Sequence, residues 1–564
     1  MKTQKNVMAA MRDGTRLACD LYLPDGEGPV PAILLRTPYL KDQIPADDLY
    51  ANYEELTAAG YAVVNQDCRG TGHSEGFLDA TGAMEADDGY DTIEWIARQK
   101  WCNGQVGMHG LSYFGFNQMA AAENNPPHLV AFCPFQNGAL LPFSLSRAHT
   151  YDSYHLMWIV DRALENLETW VQDETRREEI RKQLEAFKGN FAAYNAHLPA
   201  VDCDLLRISE LPQLGAYRLL IEGAEDPAFM KRAHRPICVE GIDRPMFFLT
   251  GWFDGALDGT MDNWKAATEG GKRTHDRRLI IGPWLHGGRL GTQIDSYDFG
   301  AENTGEAIGI HRMEIEWFDT WMKHSGTAEE KMPVVRYFML GTNEWHTADT
   351  WPPKGTKETA FMLIPSGTGK EGKLSTEPSE EETSVTFTAD PMNLPPSMFR
   401  DAEGNMMLAD PQTLGDRGDV LFFRSEVLEK DLPVAGQVKV RLTASISTPD
   451  ADFFVRLSDL SPQGKALPLA KGIVRCRYRS GDRAEWMTPG EKTELEVELG
   501  HIANCFRKGH RILLDISGGS HPAHDRNLHT KERIGFGTAY TLSEQTVYAA
   551  SKLILPVLES ADPS

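Results

Sequence analysis

Short continuous apolar runs at 31–35, 61–65, 106–109, 129–133, 246–250 and 279–281 constrain this chain more than any other feature, because they have the length of strands buried on both faces. Between several of them lie segments with apolar spacing near a helical period: 48–59, and 87–98 through Tyr90, Ile93, Ile96 and Ala97. This alternation predicts a mostly parallel sheet covered by helices on both faces, with functional residues at the carboxyl ends of strands. Just ahead, Leu17, Cys19, Leu21 and Leu23 alternate with polar residues after the turn Arg12-Asp13-Gly14, which predicts one arm of a hairpin.

The alternation breaks twice. From about 138 to 239 it gives way to a charged, helix-prone stretch, including 173–187, which predicts an inserted helical cap. The first cap helix, around Tyr151, Tyr154, His155 and Trp158, is aromatic-rich; core packing accounts for such a stripe, with a substrate-facing wall as the second reading. Beyond a helix at 306–324, with Trp317, Phe318 and Trp321, the texture becomes short runs rich in Val, Leu, Phe and Thr between Gly, Pro and Asp turns. The runs at 334–340, 420–423, 438–442, 452–457 and 511–516 predict a sandwich or jelly roll, with the Gly/Ser/Glu-rich stretch 365–384 as an exposed loop. At 564 residues the chain exceeds what one hydrophobic core holds, so two or three domains are expected.

Composition excludes several partners. Lysine and arginine total 57 against 81 acidic residues, and the net charge of -24 repels phosphate backbones and anionic membrane surfaces, so neither nucleic acid nor membrane is an expected partner. Cys19, Cys68, Cys102, Cys133, Cys203, Cys238, Cys476 and Cys505 lie far apart with no C-x-x-C pair, and read as buried free thiols rather than metal or redox ligands. No metal or cofactor is expected. Residues 1–16 contain no apolar h-region and no run of about 18 apolar residues occurs, so the expected compartment is cytoplasmic. The oligomeric state is open, a homo-oligomer being compatible with everything above.

The run 106–109 leads into Gly110-Leu111-Ser112-Tyr113-Phe114-Gly115 and then a helix over 116–123. Strand, sharp turn and helix push a serine clear of the sheet, and flanking glycines allow the close backbone approach such an elbow needs. Phe114 stands where the usual G-x-S-x-G form has its second glycine. A serine hydroxyl also needs a base and a group to orient it, following in the chain as acid and then histidine, each just beyond a strand. Two segments comply: 245–250 ends in Gly251-Trp252-Phe253-Asp254-Gly255, and 279–281 ends in Gly282-Pro283-Trp284-Leu285-His286. Asp254 and His286 are the candidate acid and base, with Asp258 as the alternative acid; His109, still on the strand, packs beneath the elbow.

Acyl transfer also needs donors for the developing oxyanion. The N–H of Tyr113 is one by its place after the nucleophile. No HGGG run supplies the second, but Arg36-Thr37-Pro38-Tyr39 follows an early strand, and Tyr39 could aim its hydroxyl there or simply pack. The Arg69-Gly70-Thr71-Gly72 segment lacks the lysine of a phosphate loop and reads as a structural turn.

With these residues in place, nearly the whole chain resembles the CocE/NonD family of serine hydrolases, which groups cocaine esterase, α-amino acid ester hydrolases, glutaryl acylase-type enzymes and X-prolyl dipeptidyl aminopeptidases. The resemblance rests on Arg36–Tyr39, Asp67-Cys68-Arg69-Gly70-Thr71-Gly72-His73-Ser74-Glu75-Gly76, Asp88-Gly89-Tyr90-Asp91, Trp101-Cys102-Asn103-Gly104 and the G-x-S-Y-x-G form of the elbow. Residues 251–255, 282–286, 452–457 and 506–511 also match. Where His109 stands the family often has tyrosine. The resemblance implies Ser112, Asp254 and His286 as triad, with the Tyr39 hydroxyl and Tyr113 N–H as oxyanion hole. The fold class expected is α/β: an α/β-hydrolase domain in two parts, 1–137 and 241–328, a helical cap at 138–240, and a C-terminal all-β jelly-roll domain at 329–564. The expected activity is hydrolysis of a small-molecule ester through an acyl-enzyme. Amide or peptide cleavage is the alternative, requiring carboxylates such as Glu225, Asp226 or Asp152 near the pocket to hold an ammonium. A catalytically dead binding protein is the third reading.

Overall fold

The computed structural model describes residues 1–559 apart from 45–52, 79–81, 139–147, 234–240, 270–275, 367–368, 397, 401–405 and 409. Every predicted apolar run of the first half is a strand: β1 (Lys2–Ala10), β2 (Arg16–Leu23), β3 (Val30–Thr37), β4 (Ala62–Asp67), β5 (Cys102–Leu111), β6 (Leu129–Phe135), β7 (Met246–Phe253) and β8 (Arg277–Leu285). They lie in a ten-stranded sheet in the order β1-β2-β4-β3-β5-β6-β7-β8, followed by Val335–Met339 and Glu344–Ala348. The β1–β2 hairpin is antiparallel, whereas β3 to β8 run parallel. The chain passes from β3 out to β4 and returns to β5 on the opposite flank of β3, so the topological switch point, where folds of this kind place their ligand crevice, falls at the carboxyl ends of β3 and β5. Tyr39 follows one of those strands and Ser112 the other.

Helices cover both faces, as the two-sided burial of β3 and β4 requires. Helices α2 (Glu85–Ala97) and α3 (Tyr113–Glu123), with Leu257–Thr268, bury Ile93, Ile96, Met119, Met261 and Trp264 on one side. On the other, α1 (Tyr53–Ala58) and Ile310–Met322 bury Leu56, Trp317 and Phe318. The first part of the helix expected at 48–59 lies outside the described residues. The helix expected at 306–324 starts only at Ile310, because Gly309 takes a left-handed φ of 77° at its N-terminus.

Between β6 and β7 lies a helical insertion with a core of its own, including Ile159, Leu167, Ile180, Leu184 and Leu214. Asp152 and Asp173 cap two of its helices, Ser153–Trp170 and Glu174–Gly189, by accepting from the N–H groups of Tyr154 and Arg176. The insertion is tied to the C-terminal part by a buried ionic knot. Arg475 forks onto Asp452 at 2.9 Å through both nitrogens and reaches Asp525 at 3.2 Å and the His149 carbonyl at 3.1 Å, while Asp525 accepts from the Tyr151 N–H at 3.0 Å.

The C-terminal part is a largely antiparallel β domain with an 11-stranded sheet. Its longest pair, Leu432–Ile446 with Thr493–Phe506, contains the expected run 438–442. Two expectations need correction. The run 334–340 does not open this domain: Val335–Met339 pairs in parallel with β8, Val335 opposite Leu279, so it extends the first sheet. An apolar run looks the same in either setting, and only the long-range partner decides. The stretch 365–384 is not all loop, since Glu371–Ser375 forms a strand between Thr356–Pro365 and Val420–Ser425. Its glycine misleads: a Cβ on Gly372 would lie 2.4 Å from the Phe423 ring, so the residue that reads as loop is the one that lets the ring cross the strand.

Of the eight cysteines, Cys238 lies outside the described residues and the others are buried free thiols. No helix among the described residues is long and apolar enough to cross a membrane.

Candidate active site

Ser112 sits between β5 and α3 with φ 63° and ψ −127°, a left-handed conformation that a non-glycine residue adopts only when its surroundings impose it. Two close approaches impose it here. A Cβ on Gly110 would meet Phe114 Cβ at 2.5 Å, and one on Gly115 would meet the Phe135 carbonyl at 2.6 Å and Asn137 Cβ at 2.8 Å. Gly115, not residue 114, is therefore the position at which α3 crosses β6, which leaves the 114 side chain free to pack as a fully buried phenylalanine. The Ser112 N–H donates to the Phe135 carbonyl at 3.1 Å, and the Ser112 carbonyl accepts from Phe116 N–H at 2.9 Å.

The acid and base segments are also held by glycines. Strands β7 and β8 run on to Phe253 and Leu285, with Gly251 paired opposite Gly282. A Cβ on Gly251 would lie 2.2 Å from the Trp284 carbonyl, and one on Gly282 would lie 2.4 Å from the Trp284 ring. These tight approaches bring Asp254 and His286 to the strand ends next to Ser112. Ser112 Oγ lies 2.8 Å from His286 Nε2, and His286 Nδ1 lies 2.7 Å from Asp254 Oδ1. Asp254 is buried and held by the Thr250 hydroxyl at 3.0 Å and the Ala256 N–H at 2.8 Å. Burial opposes charge on the imidazole, but the charge and hydrogen bond of Asp254 outweigh it, so His286 is held above its ordinary value.

Tyr39 lies at the crevice with its ring against Phe114, centroids 5.9 Å apart, and edge-on to Trp158 at 6.4 Å. Tyr113, the first residue of α3, stacks on Trp158 at 5.8 Å with planes 14° apart. Trp158 thus packs against both tyrosines, whereas Tyr151 and His155 are buried in the insertion.

The first part of the chain, residues 13–288, matches the family model described as X-Pro dipeptidyl-peptidase (S15 family), and residues 327–547 match that family's C-terminal non-catalytic domain. A cocaine esterase from Rhodococcus sp. (strain MB1 Bresler) is 34% identical over 555 residues, spanning 93% of this chain and 92% of the relative. The chain belongs to the CocE/NonD family of serine hydrolases. Solved structures share the fold. One is an aminopeptidase from a marine sediment Thaumarchaeota archaeon (TM-score 0.84, 23% identity, 99% of this chain and 96% of that one). Another is an α-amino acid ester hydrolase (TM-score 0.82, 24% identity, 99% and 96%).

Within this CocE/NonD hydrolase, several residues that sequence reasoning missed surround the relay. Gln136, one residue past β6, donates to the Leu285 carbonyl at 2.8 Å and accepts from the Gly287 N–H at 2.8 Å, clamping the backbone on both sides of His286. Glu85 accepts from the Tyr113 hydroxyl at 3.0 Å and from Arg36 at 2.5 Å, so one buried carboxylate ties α3 to the strand end that leads to Tyr39. Asn117 adds a bond to the Arg36 carbonyl at 2.7 Å. These partners are far apart in the chain, and the signal available was only that polar residues lie at the same end of neighbouring strands.

The remaining candidates of the CocE/NonD chain fall elsewhere. His286 bonds to Asp254, and Asp258 packs instead near Gly500 of the β domain. His109 is fully buried beneath the elbow against Glu314, and that contact holds the Glu314 carboxyl down at about 2 despite its burial. The 69–72 segment is a structural turn: Arg69 pairs with Asp88 and Asp13, and the Gly70 carbonyl accepts from Trp170 Nε1 at 2.7 Å.

Proposed function

We propose that this serine hydrolase cleaves carboxylic esters through an acyl-enzyme on Ser112. Its base is His286, its acid Asp254, and its oxyanion donors are the Tyr39 hydroxyl and the Tyr113 N–H. The observation that carries the reading is the unbroken relay of 2.8 Å and 2.7 Å from Ser112 through His286 to Asp254. In this reading the Nδ1–H of His286 donates to Asp254, which leaves Nε2 to take the Ser112 proton as Oγ attacks the carbonyl carbon. Two donors then hold the oxyanion. The imidazolium gives its proton to the departing alkoxide; a water then enters, Nε2 takes its proton as it attacks the acyl carbon, and the imidazolium returns that proton to Oγ as the acyl–Oγ bond breaks and the acid leaves. The 138–240 insertion acts as the cap, with Trp158 walling the acyl pocket.

An ester is favoured over an amide on two grounds. The relative named cocaine esterase aligns along almost the whole chain. The carboxylates that could hold a substrate ammonium have other roles: Glu225 accepts from the Ile534 N–H and faces Arg477, Asp226 accepts from the Ala228 N–H, and Asp152 caps a helix. Comparing p-nitrophenyl acetate and p-nitrophenyl benzoate with an aminoacyl-proline anilide tests this. Ester turnover above anilide turnover is expected, each tenfold of preference reflecting about 1.4 kcal/mol of activation free energy. Preference for the anilide would establish the peptidase reading instead.

A further inference from the structure

We infer that Arg162 is a positioning residue for the oxyanion, acting through the ring of Tyr39. This rests on the reading of Tyr39 as an oxyanion donor and brings a residue of the inserted helix into the chemistry at Ser112. Arg162 lies in the helix Ser153–Trp170, far from the elbow in sequence, and is 9% exposed. Its guanidinium carbon is 4.7 Å from the centroid of the Tyr39 ring and 5.7 Å from that of Trp158. A helix arginine normally turns its charge to water. This one is turned inward onto the two rings that border the nucleophile.

The orientation is enforced. Glu165, one turn on, accepts from Arg162 Nε at 2.7 Å and from a second guanidinium nitrogen, a fork that fixes the guanidinium plane. The helix is fixed in turn. Asn166 donates to the Arg162 carbonyl at 2.9 Å and accepts from the Gly72 N–H at 2.9 Å, and Trp170 Nε1 donates to the Gly70 carbonyl at 2.7 Å. The 69–72 turn therefore anchors this helix to the hydrolase sheet, which gives that turn a role beyond its own fold.

A cation on a ring face does two things for a phenol. It is attracted to the ring quadrupole, which holds the ring in one place, and it draws electron density away from the oxygen, which strengthens the O–H as a donor. Both effects matter most when negative charge appears on the substrate oxygen, so Arg162 stabilises the transition state rather than the bound ester. Glu165 offsets much of the long-range charge. The contribution is consequently local to Tyr39 and absent once the hydroxyl is removed.

The test is a double-mutant cycle of Arg162→Met and Tyr39→Phe, read as kcat and KM for p-nitrophenyl acetate. Removal of one oxyanion donor costs about 10²–10³ in kcat, so Tyr39→Phe is expected to fall in that range and Arg162→Met to lose about tenfold, each with KM within about twofold. In the Tyr39→Phe background, Arg162→Met is expected to cost less than about twofold more. Arg162→Lys, which keeps the charge without the planar fork, falls between. The Ki of a boronic acid, which forms a tetrahedral oxyanion-like adduct on serine, rises by the factor lost in kcat.

Equal losses from Arg162→Met in both backgrounds overturn the inference while leaving Tyr39 as a donor. A Tyr39→Phe enzyme with full kcat overturns the donor reading and the inference with it. If Arg162→Met does not fold, Arg162→Lys decides: unchanged kcat and boronate Ki in that variant refute a role for the fork.

Discussion

Asp254→Asn isolates the charge of the acid from its geometry, and the structure fixes what should happen. In many sites of this type an amide turns its NH2 toward the imidazole, inverts the tautomer and costs about 10⁴-fold. Here Asp254 Oδ1 accepts from the backbone N–H of Ala256 at 2.8 Å, a donor that cannot reverse, while Oδ2 faces the Thr250 hydroxyl at 3.0 Å, which can. The amide oxygen therefore stays at the Oδ1 position, and the Nδ1–H of His286 keeps an acceptor. What is lost is one negative charge about 4 Å from the forming imidazolium, worth about 4 kcal/mol at an effective dielectric of about 20, or about 10³-fold. The acid limb must move too. The carboxylate holds His286 above its ordinary value of 6.5, so in the native enzyme kcat/KM should fall as pH drops through a midpoint above 6.5. Without the charge, burial dominates and the midpoint falls below that of the native enzyme. The assay is kcat/KM for p-nitrophenyl acetate from pH 5 to 9, with thermal unfolding to establish that the variant is folded. A loss under tenfold, or an acid limb that stays in place or moves up, would show that the Asp254 charge does not stabilise the imidazolium.

Gly115→Ala would normally favour a helix, but its Cβ would lie 2.6 Å from the Phe135 carbonyl, so the elbow must shift. A loss of roughly 10²-fold in kcat with a lowered Tm is expected, because misplacement by about 1 Å can cost that much; a stabilised, fully active variant would contradict it. Glu85→Gln leaves the buried Arg36 without its closest carboxylate, and urea unfolding should show a loss of about 3–5 kcal/mol, as when one partner of a buried pair is removed. A loss below about 1 kcal/mol would mean that Gln66 and Asp88 suffice to hold Arg36.

The parallel strands were legible because burial on both faces writes a continuous apolar run, as at Val63, Val64 and Ile33. The serine, aspartate and histidine were legible from their order and from their place after strands. The register that brings Asp254 and His286 together was not, because it depends on Gly251 lying opposite Gly282 beneath the Trp284 carbonyl and ring, a fact of two strands together. Gln136 and Glu85 were hidden for the same reason: each acts on partners far along the chain, and an isolated polar residue carries no mark of its partner. Strands Val335–Met339 and Glu371–Ser375 show the limit from the side of the fold. The first has a composition that suits either sheet, and the second is held by neighbours on both sides rather than by local propensity.

In the proposed reaction Ser112 carries the acyl group. Treatment with a fluorophosphonate followed by mass spectrometry of the digested protein should find the adduct on the peptide containing Ser112, in step with loss of esterase activity, and neither adduct nor activity in a folded Ser112→Ala variant. An adduct on another residue, or a Ser112→Ala enzyme that still hydrolyses p-nitrophenyl acetate at the native rate, would contradict it.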